Sequence, residues 1–378
     1  MLRYNFVTNE QTGQNLDFPF GMSRRFTAPA HSTSGKSVFG LEARGVCLVK
    51  METRVQAAGE GIRSAVSILA SGGLVALPTE TVYGLGADAL SPVACAEIFE
   101  AKDRPLSDPL IVHIPGIDWL DRLAIVPEAA RRLAEAFWPG PLTLVLPRRD
   151  IVPDLVTAGQ ETVAVRMSSH PLFQEVLKAF GKPVAAPSAN RFGRISPTCA
   201  GHVLAELGGR IPLILDGGPC VHGIESTIVL IDAAGIHILR HGPVTAEALS
   251  GFGPVHGAVA GISAPGGLLS HYAPRTPMRI GEAVEQASRL LFPQKGGSRD
   301  GRPTTPAIGL LSWRSAGDGF ACVEALSRNQ DLREAAANLY GAMRRLDEAG
   351  LDGIIAEPVP ETGLGAAIME RLRKASAR

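Results

Sequence analysis

The chain has 378 residues, 45% of them hydrophobic, and its 37 lysine and arginine residues are balanced by 37 aspartate and glutamate residues. That length favours two domains over a single core, and the even charge excludes a nucleic-acid surface built on net charge, leaving room only for a local basic groove. Five scattered cysteines (Cys47, Cys95, Cys199, Cys220 and Cys322) form no C-x-x-C pair, which argues against a disulfide framework or a structural zinc site and suits a reducing cytoplasm.

Residues 1–54 lack sustained periodicity and are predicted to be a disordered leader or an extended start. Arg24 and Arg25 among hydroxyl residues suit a transit peptide, whereas Glu10, Asp17 and Glu42 oppose it. Inside this stretch AHSTSGKS, residues 30–37, matches a phosphate-binding P-loop with alanine at the first glycine. That motif works only between a buried strand and a helix. Neither flank reads that way, so the match is set aside.

From residue 57 to 71 apolar residues recur at helical spacing and stop at Gly72-Gly73, a helix-ending signal. Residues 74–77 follow as a buried strand. Gly84 and Gly86 imitate a dinucleotide fingerprint, but Pro78 and five more residues separate them from that strand, so a glycine-rich loop is predicted. Ser91-Pro92 opens a helix to about residue 101, after which Lys102 and Arg104 leave its end and Pro105 stops it. A strand over 109–114 contains His113, a helix over 126–137 precedes WPGPLTLVL, and TVAVR ends in Arg166. The run PVAAPSANRFGRIS, residues 183–196, is again a strand that empties into Ser188, Asn190, Arg191 and Arg194. Serine and asparagine supply neutral donors and acceptors for sugar or phosphate oxygens. Strands at 213–216, 226–231 and 238–240 likewise start or finish in Asp, Ser, Thr or Arg, and one cleft at the strand ends would gather them.

The blocks LPTETVYGLGADA, K-x-R at Lys102 and Arg104, DPLIVH, WPGPLT, VAVR, APSAN with Ser196, GIEST and LRHG stand in consistent order over about residues 55–244. Together they make the chain resemble the Sua5/YrdC family of threonylcarbamoyl-AMP synthases. PGGLLSHYAPRTP, residues 265–277, resembles that family's interdomain linker, and residues 278–378 resemble its accessory domain. From the residues alone, this last region alternates strand, helix, strand, helix, the pattern of a small parallel α/β unit.

The resemblance implies an α/β fold: a twisted mixed open sheet of the YrdC-like type over residues 55–250, a linker over 251–277, and a smaller C-terminal Rossmann-like parallel α/β domain over 278–378. It implies an enzyme that condenses L-threonine, bicarbonate and ATP to threonylcarbamoyl-AMP and pyrophosphate, for modification of adenosine 37 in tRNAs reading ANN codons by a downstream transferase machinery. It places threonine near Thr81, His113, Arg166, Ala186 and Ser226. ATP falls near Arg104, Asp108, Thr162, Ser188, Asn190, Ser196, Arg240 and Tyr272, with Lys102 and Arg104 as the catalytic cations and both expected to face the cleft. Asp108 departs from the asparagine that many members carry, and a carboxylate beside phosphate is unfavourable unless compensated. No metal ligands are assigned, and Mg²⁺ is expected to arrive with ATP.

A competing class is an RNA-binding module holding double-stranded RNA or tRNA through Arg191, Arg194 and Arg275. The combination of Thr81, Ser188, Asn190 and Ser226 favours catalysis, because RNA binding would not need the four together. A carbamoyltransferase with an embedded YrdC-like domain would need acylphosphatase and zinc-finger segments that the sequence does not display. A cytoplasmic protein is expected, with no apolar run near the roughly 20 residues that span a bilayer.

Overall fold

The computed structural model describes residues 51–259, 265, 271–281, 306–314 and 319–377. The P-loop-like segment and nearly all of the leader lie outside these.

The large sheet contains β1 (Arg54–Gln56), β2 (Val75–Leu77), β3 (Gly84–Asp88), β4 (Ile111–His113), β5 (Leu142–Pro147), β6 (Thr162–Arg166), β7 (Val184–Ala185), β8 (Leu213–Leu215), β9 (Thr227–Asp232), β10 (Gly235–Arg240) and β11 (Val255–His256). They run in the spatial order β1-β8-β2-β3-β7-β4-β6-β5-β9-β10-β11. The sheet is mixed: β4 and β6 are parallel, while β2/β3, β3/β7, β4/β7, β5/β6 and β9/β10 are antiparallel. Its central strands are short buried apolar runs, VAL in β2 and LIL in β8 for example, and its core holds residues such as Leu85, Ile98, Leu120, Leu144, Val163 and Val229.

The glycine-rich loop expected at Gly84 and Gly86 is instead strand β3. Its glycines answer a packing demand: a Cβ on Gly86 would sit 3.0 Å from Val184 Cγ1 and 3.1 Å from Leu77 Cδ1. Helix ends follow their local chemistry closely. Pro92–Lys102 starts at Ser91, whose side chain accepts from Ala94 N, and ends at Asp103 in a left-handed conformation. The helix expected from residue 57 begins at Glu60, after Gly59.

The second sheet is wholly parallel, with β12 (Met278–Ile280), β13 (Ile308–Ser312), β14 (Cys322–Ala325) and β15 (Gly353–Ala356) in the order β12-β15-β13-β14. Helices Leu332–Glu348 and Leu364–Ala375 pack on it. Strands β1, β3, β11, β12 and β14 were not anticipated. All but β3 are short, of two to four residues, and β12 and β14 carry too few alternating positions to register as strands.

One buried apolar cluster joins the two sheets. It contains Val82, Ile195, Ile224 and Tyr272 together with Leu311, Leu339, Tyr340, Met343, Ile368 and Leu372. The accessory unit is therefore packed directly on the strand-end loops of the large sheet.

Candidate active site

Strand register assembles the site. Parallel pairing sets His113 of β4 beside Arg166 of β6, and antiparallel pairing sets Thr143 of β5 opposite Arg166. The β5/β9 pairing then brings Ser226, just before β9, within 2.8 Å of Thr143 Oγ1. Loops complete the frame. Thr79 Oγ1 accepts from Thr81 N and Val82 N and donates to Val82 O at 2.6 Å, a side-chain turn that fixes Thr81. The APSAN loop is laced to the start of β3 by Leu85 N donating to Pro187 O and Ala189 N donating to Tyr83 O.

These elements enclose a cavity lined by Thr81, Arg104, His113, Arg166, Ala186, Ser188, Arg240 and Tyr272 among others. Eight predicted site residues thus meet at one place. Five more stand one bond behind the wall. Asp108 pairs with Arg104 at 2.9 Å. Asn190 N donates to Ser188 O at 3.0 Å. Ser196 Oγ donates to Glu225 Oε1 at 2.6 Å. Ser226 Oγ accepts from Arg240 Nη2 at 3.1 Å. Lys102 Nζ donates to the carbonyls of Ser188 and Asn190. Thr162 is the exception: it lies at the opposite end of β6 from Arg166, about 13 Å along the strand, and does not line the cavity.

Lys102 therefore differs from expectation. Its side chain is 1% exposed and is absent from the cavity lining. Burial, reinforced by Arg104, holds its ammonium well below the usual lysine range. Its visible role is to clamp two carbonyls of the APSAN loop, and through them to set Ser188. The concern over Asp108 is resolved as well, because its carboxylate faces Arg104 and is compensated there.

Two carboxylates escaped the sequence reading. Glu80 Oε1 receives Arg166 Nη2 at 2.7 Å, and its other oxygen receives the hydroxyl of Ser168. Burial alone would raise this carboxyl, but Arg166 and Ser168 outweigh it and hold it at about 2. Glu225 lines the cavity and is likewise held at about 2, its burial offset by Arg371 and Arg240. Both sit inside the quoted blocks LPTETVYG and GIEST, next to Thr81 and Ser226. Acids are not expected among anion-binding groups, and only their arginine partners make these two compatible with the site.

His113 is 2% exposed, its Nδ1 has no hydrogen-bond partner among the described residues, and burial beside Arg166 lowers its pKa to about 3. It presents a neutral imidazole to the cavity. His271 also lines the cavity, and burial lowers it to about 3. Tyr272 holds φ at 61° with its hydroxyl buried and unpartnered among the described residues. Strained backbone of this kind persists only where the surroundings enforce it. The cavity has a volume of about 40 Å³, room for about three water molecules and far below the roughly 300–1,000 Å³ of small-molecule sites.

A family profile described as Telomere recombination, spanning Sua5, YciO and YrdC proteins, matches residues 67–242. A second, described as Threonylcarbamoyl-AMP synthase, C-terminal domain, matches residues 244–377. The chain belongs to the Sua5 family. This Sua5 chain is 43% identical to the threonylcarbamoyl-AMP synthase of Bacillus subtilis, over 83% of its own length and 92% of the relative's. It is 41% identical to that of Pyrococcus abyssi, over 83% and 94%. The crystal structure of P. abyssi Sua5 complexed with L-threonine superposes with a TM-score of 0.77 at 38% identity, covering 86% of this chain and 97% of that one.

Proposed function

We infer that this chain is a threonylcarbamoyl-AMP synthase. The observation that carries the reading is that one cavity joins two chemically distinct corners. Thr81, His113, Arg166 and Ala186 form a corner suited to an amino acid with a hydroxyl. Arg104, Ser188, Arg240 and Tyr272 form a corner suited to a nucleotide.

Arg166 has five N–H groups. Three contacts, to Gly140 O, Thr81 Oγ1 and Glu80 Oε1, fix its plane and leave donors for a substrate carboxylate. Thr81 and the unpartnered Nδ1 of His113 are the neutral groups that would recognise the threonine hydroxyl or amine. In the reaction the amine takes up bicarbonate with loss of water to give a carbamate. A carbamate oxygen then attacks the α-phosphorus of ATP, and the bond from that phosphorus to the bridging oxygen breaks to release pyrophosphate. Arg104 and Arg240 oppose the charge that spreads over the phosphates. A neutral His113 held at about 3 is a weak base, so fixed charge and positioning carry the chemistry. Glu80 and Glu225 are both committed to arginines, and magnesium is assigned to the triphosphate as part of that substrate.

Admission of both substrates requires the cavity to widen, and Pro265, His271 and Tyr272 form its linker side. The product is an activated carbamoyl donor that a separate transferase passes to tRNA, which suits a cytoplasmic setting. Among the described residues no helix is long and apolar enough to cross a membrane. RNA contact belongs to the reading only at the cleft that holds Arg191, Arg194 and Arg275. There Arg191 is paired with Asp103 at 2.6 Å and Arg194 with Asp347 at 3.6 Å, which reduces the charge on offer.

Purified protein supplied with L-threonine, bicarbonate, ATP and Mg²⁺ is expected to release pyrophosphate in a threonine-dependent manner. Equal release without threonine, or none at all, overturns the synthase reading.

A further inference from the structure

The accessory unit reaches the cavity through charge as well as packing. Glu225 belongs to the GIEST segment and lines the cavity, yet most of its partners come from the two C-terminal helices. Tyr340 Oη, on Leu332–Glu348, donates to its carboxylate at 2.9 Å. Arg371 Nε, on Leu364–Ala375, donates to Oε2 at 3.1 Å. From the large-sheet side Ser196 Oγ donates to Oε1 at 2.6 Å. The next residue, Ser226, holds Arg240 by its carbonyl at 3.0 Å and by its hydroxyl at 3.1 Å. Arg371 is fully buried, and its Nη1 also donates to His241 O, one residue beyond Arg240.

An ionised carboxylate in the wall of a cavity for a triphosphate is repulsive unless a cation compensates it. Here Arg240 offsets part of the charge, but the cation bonded to the carboxylate, Arg371, comes from the other unit of the fold. Building on the synthase reading, we propose that Arg371 and Tyr340 are positioning residues of the nucleotide corner. They neutralise and orient Glu225, so that Ser196 and Arg240 keep the geometry ATP needs. The accessory unit is then part of the active site, acting through Glu225 without touching substrate.

The test compares Arg371→Met, Tyr340→Phe and the double variant Arg371→Met/Glu225→Gln with wild type. The readouts are KM and kcat for pyrophosphate release, direct ATP titration, and thermal midpoint. Arg371→Met removes the cation bonded to Glu225 and leaves Arg240 alone to offset its charge; it is expected to raise the ATP KM and Kd by about tenfold or more, with the threonine KM changed far less. Glu225→Gln added to it removes the repulsion and is expected to restore most of the ATP affinity, which a loss of stability alone would not allow. Tyr340→Phe keeps the ring against Tyr272, with centroids 5.8 Å apart, and is expected to fold normally with a smaller loss of the same sign. Wild-type ATP affinity in Arg371→Met or in Tyr340→Phe, or a double variant no better than Arg371→Met, overturns the proposal. A wild-type protein that binds ATP but releases no pyrophosphate would count against the synthase reading instead, and the ATP titrations would still decide this one.

Discussion

A lysine that donates to two interior carbonyls cannot be removed without loosening both: Ser188 O would keep only the amide of Asn190, and Asn190 O would lose its donor. Lys102 is 1% exposed and bonded to Ser188 O and Asn190 O. A cleft-facing lysine would leave the fold intact on truncation; this one, buried and bonded to two carbonyls, is expected not to. Lys102→Ala is expected to cost about 2–5 kcal/mol, from the void it leaves and from the unpaired carbonyl of Asn190, and to slow pyrophosphate release because Ser188 loses one of the two donors that hold its carbonyl. Urea unfolding checks the first part; a native midpoint with activity abolished would return Lys102 to the substrate side. Sequence placed this residue correctly in the chain, at the end of a helix that Pro105 cannot extend. What it could not give was the direction of the side chain, because the carbonyls that hold Lys102 lie 86 and 88 residues away. Glu80 and Glu225 were missed for a related reason: Arg371, which neutralises Glu225, is 146 residues distant.

At the level of elements, the GIEST segment is pressed against the accessory helix Leu332–Glu348. Gly223 holds φ at 69°, and a Cβ there would lie 2.5 Å from Ala337 Cα and 2.6 Å from Ala336 O. Both are backbone atoms of a helix and have no rotamer by which to retreat. Gly223→Ala combines left-handed strain with overpacking and is expected to destabilise by about 2–4 kcal/mol. Gly218→Ala, at φ 79° with nothing within 4 Å, carries the strain alone and should cost about 1 kcal/mol. Equal thermal shifts in the two variants would mean that the helix yields. The legible strands were those with apolar runs long enough to show a pattern, such as β5, β6 and β9. β1, β11, β12 and β14 are short and defined by their partners, and β3 was hidden because its glycines serve close packing rather than a turn.

On the scale of the whole molecule, the site makes stability depend on pH through groups held in one protonation state. His113 and His271 are buried neutral, with pKa lowered from 6.5 to about 3. Below pH 6.5 the unfolded chain binds protons that the folded chain refuses, so stability is full above that value and falls as pH drops toward 3. Each histidine contributes a slope of up to about 1.4 kcal/mol per pH unit in that window. Glu80 and Glu225 are lowered from 4.5 to about 2. Their contribution is complete above 4.5 and is lost as pH falls from there toward 2, so the two classes act in sequence. Urea midpoints measured from pH 7.5 to 4 are therefore expected to be level at first, to decline below about 6.5, and to steepen below about 4.5. Replacing His113 with asparagine should flatten the first decline by about one proton's worth while leaving the second in place. A midpoint that stays constant from pH 7.5 to 5 would show that both histidines take up protons in the folded protein, and that the cavity is wetter and more open in solution than its closed geometry implies.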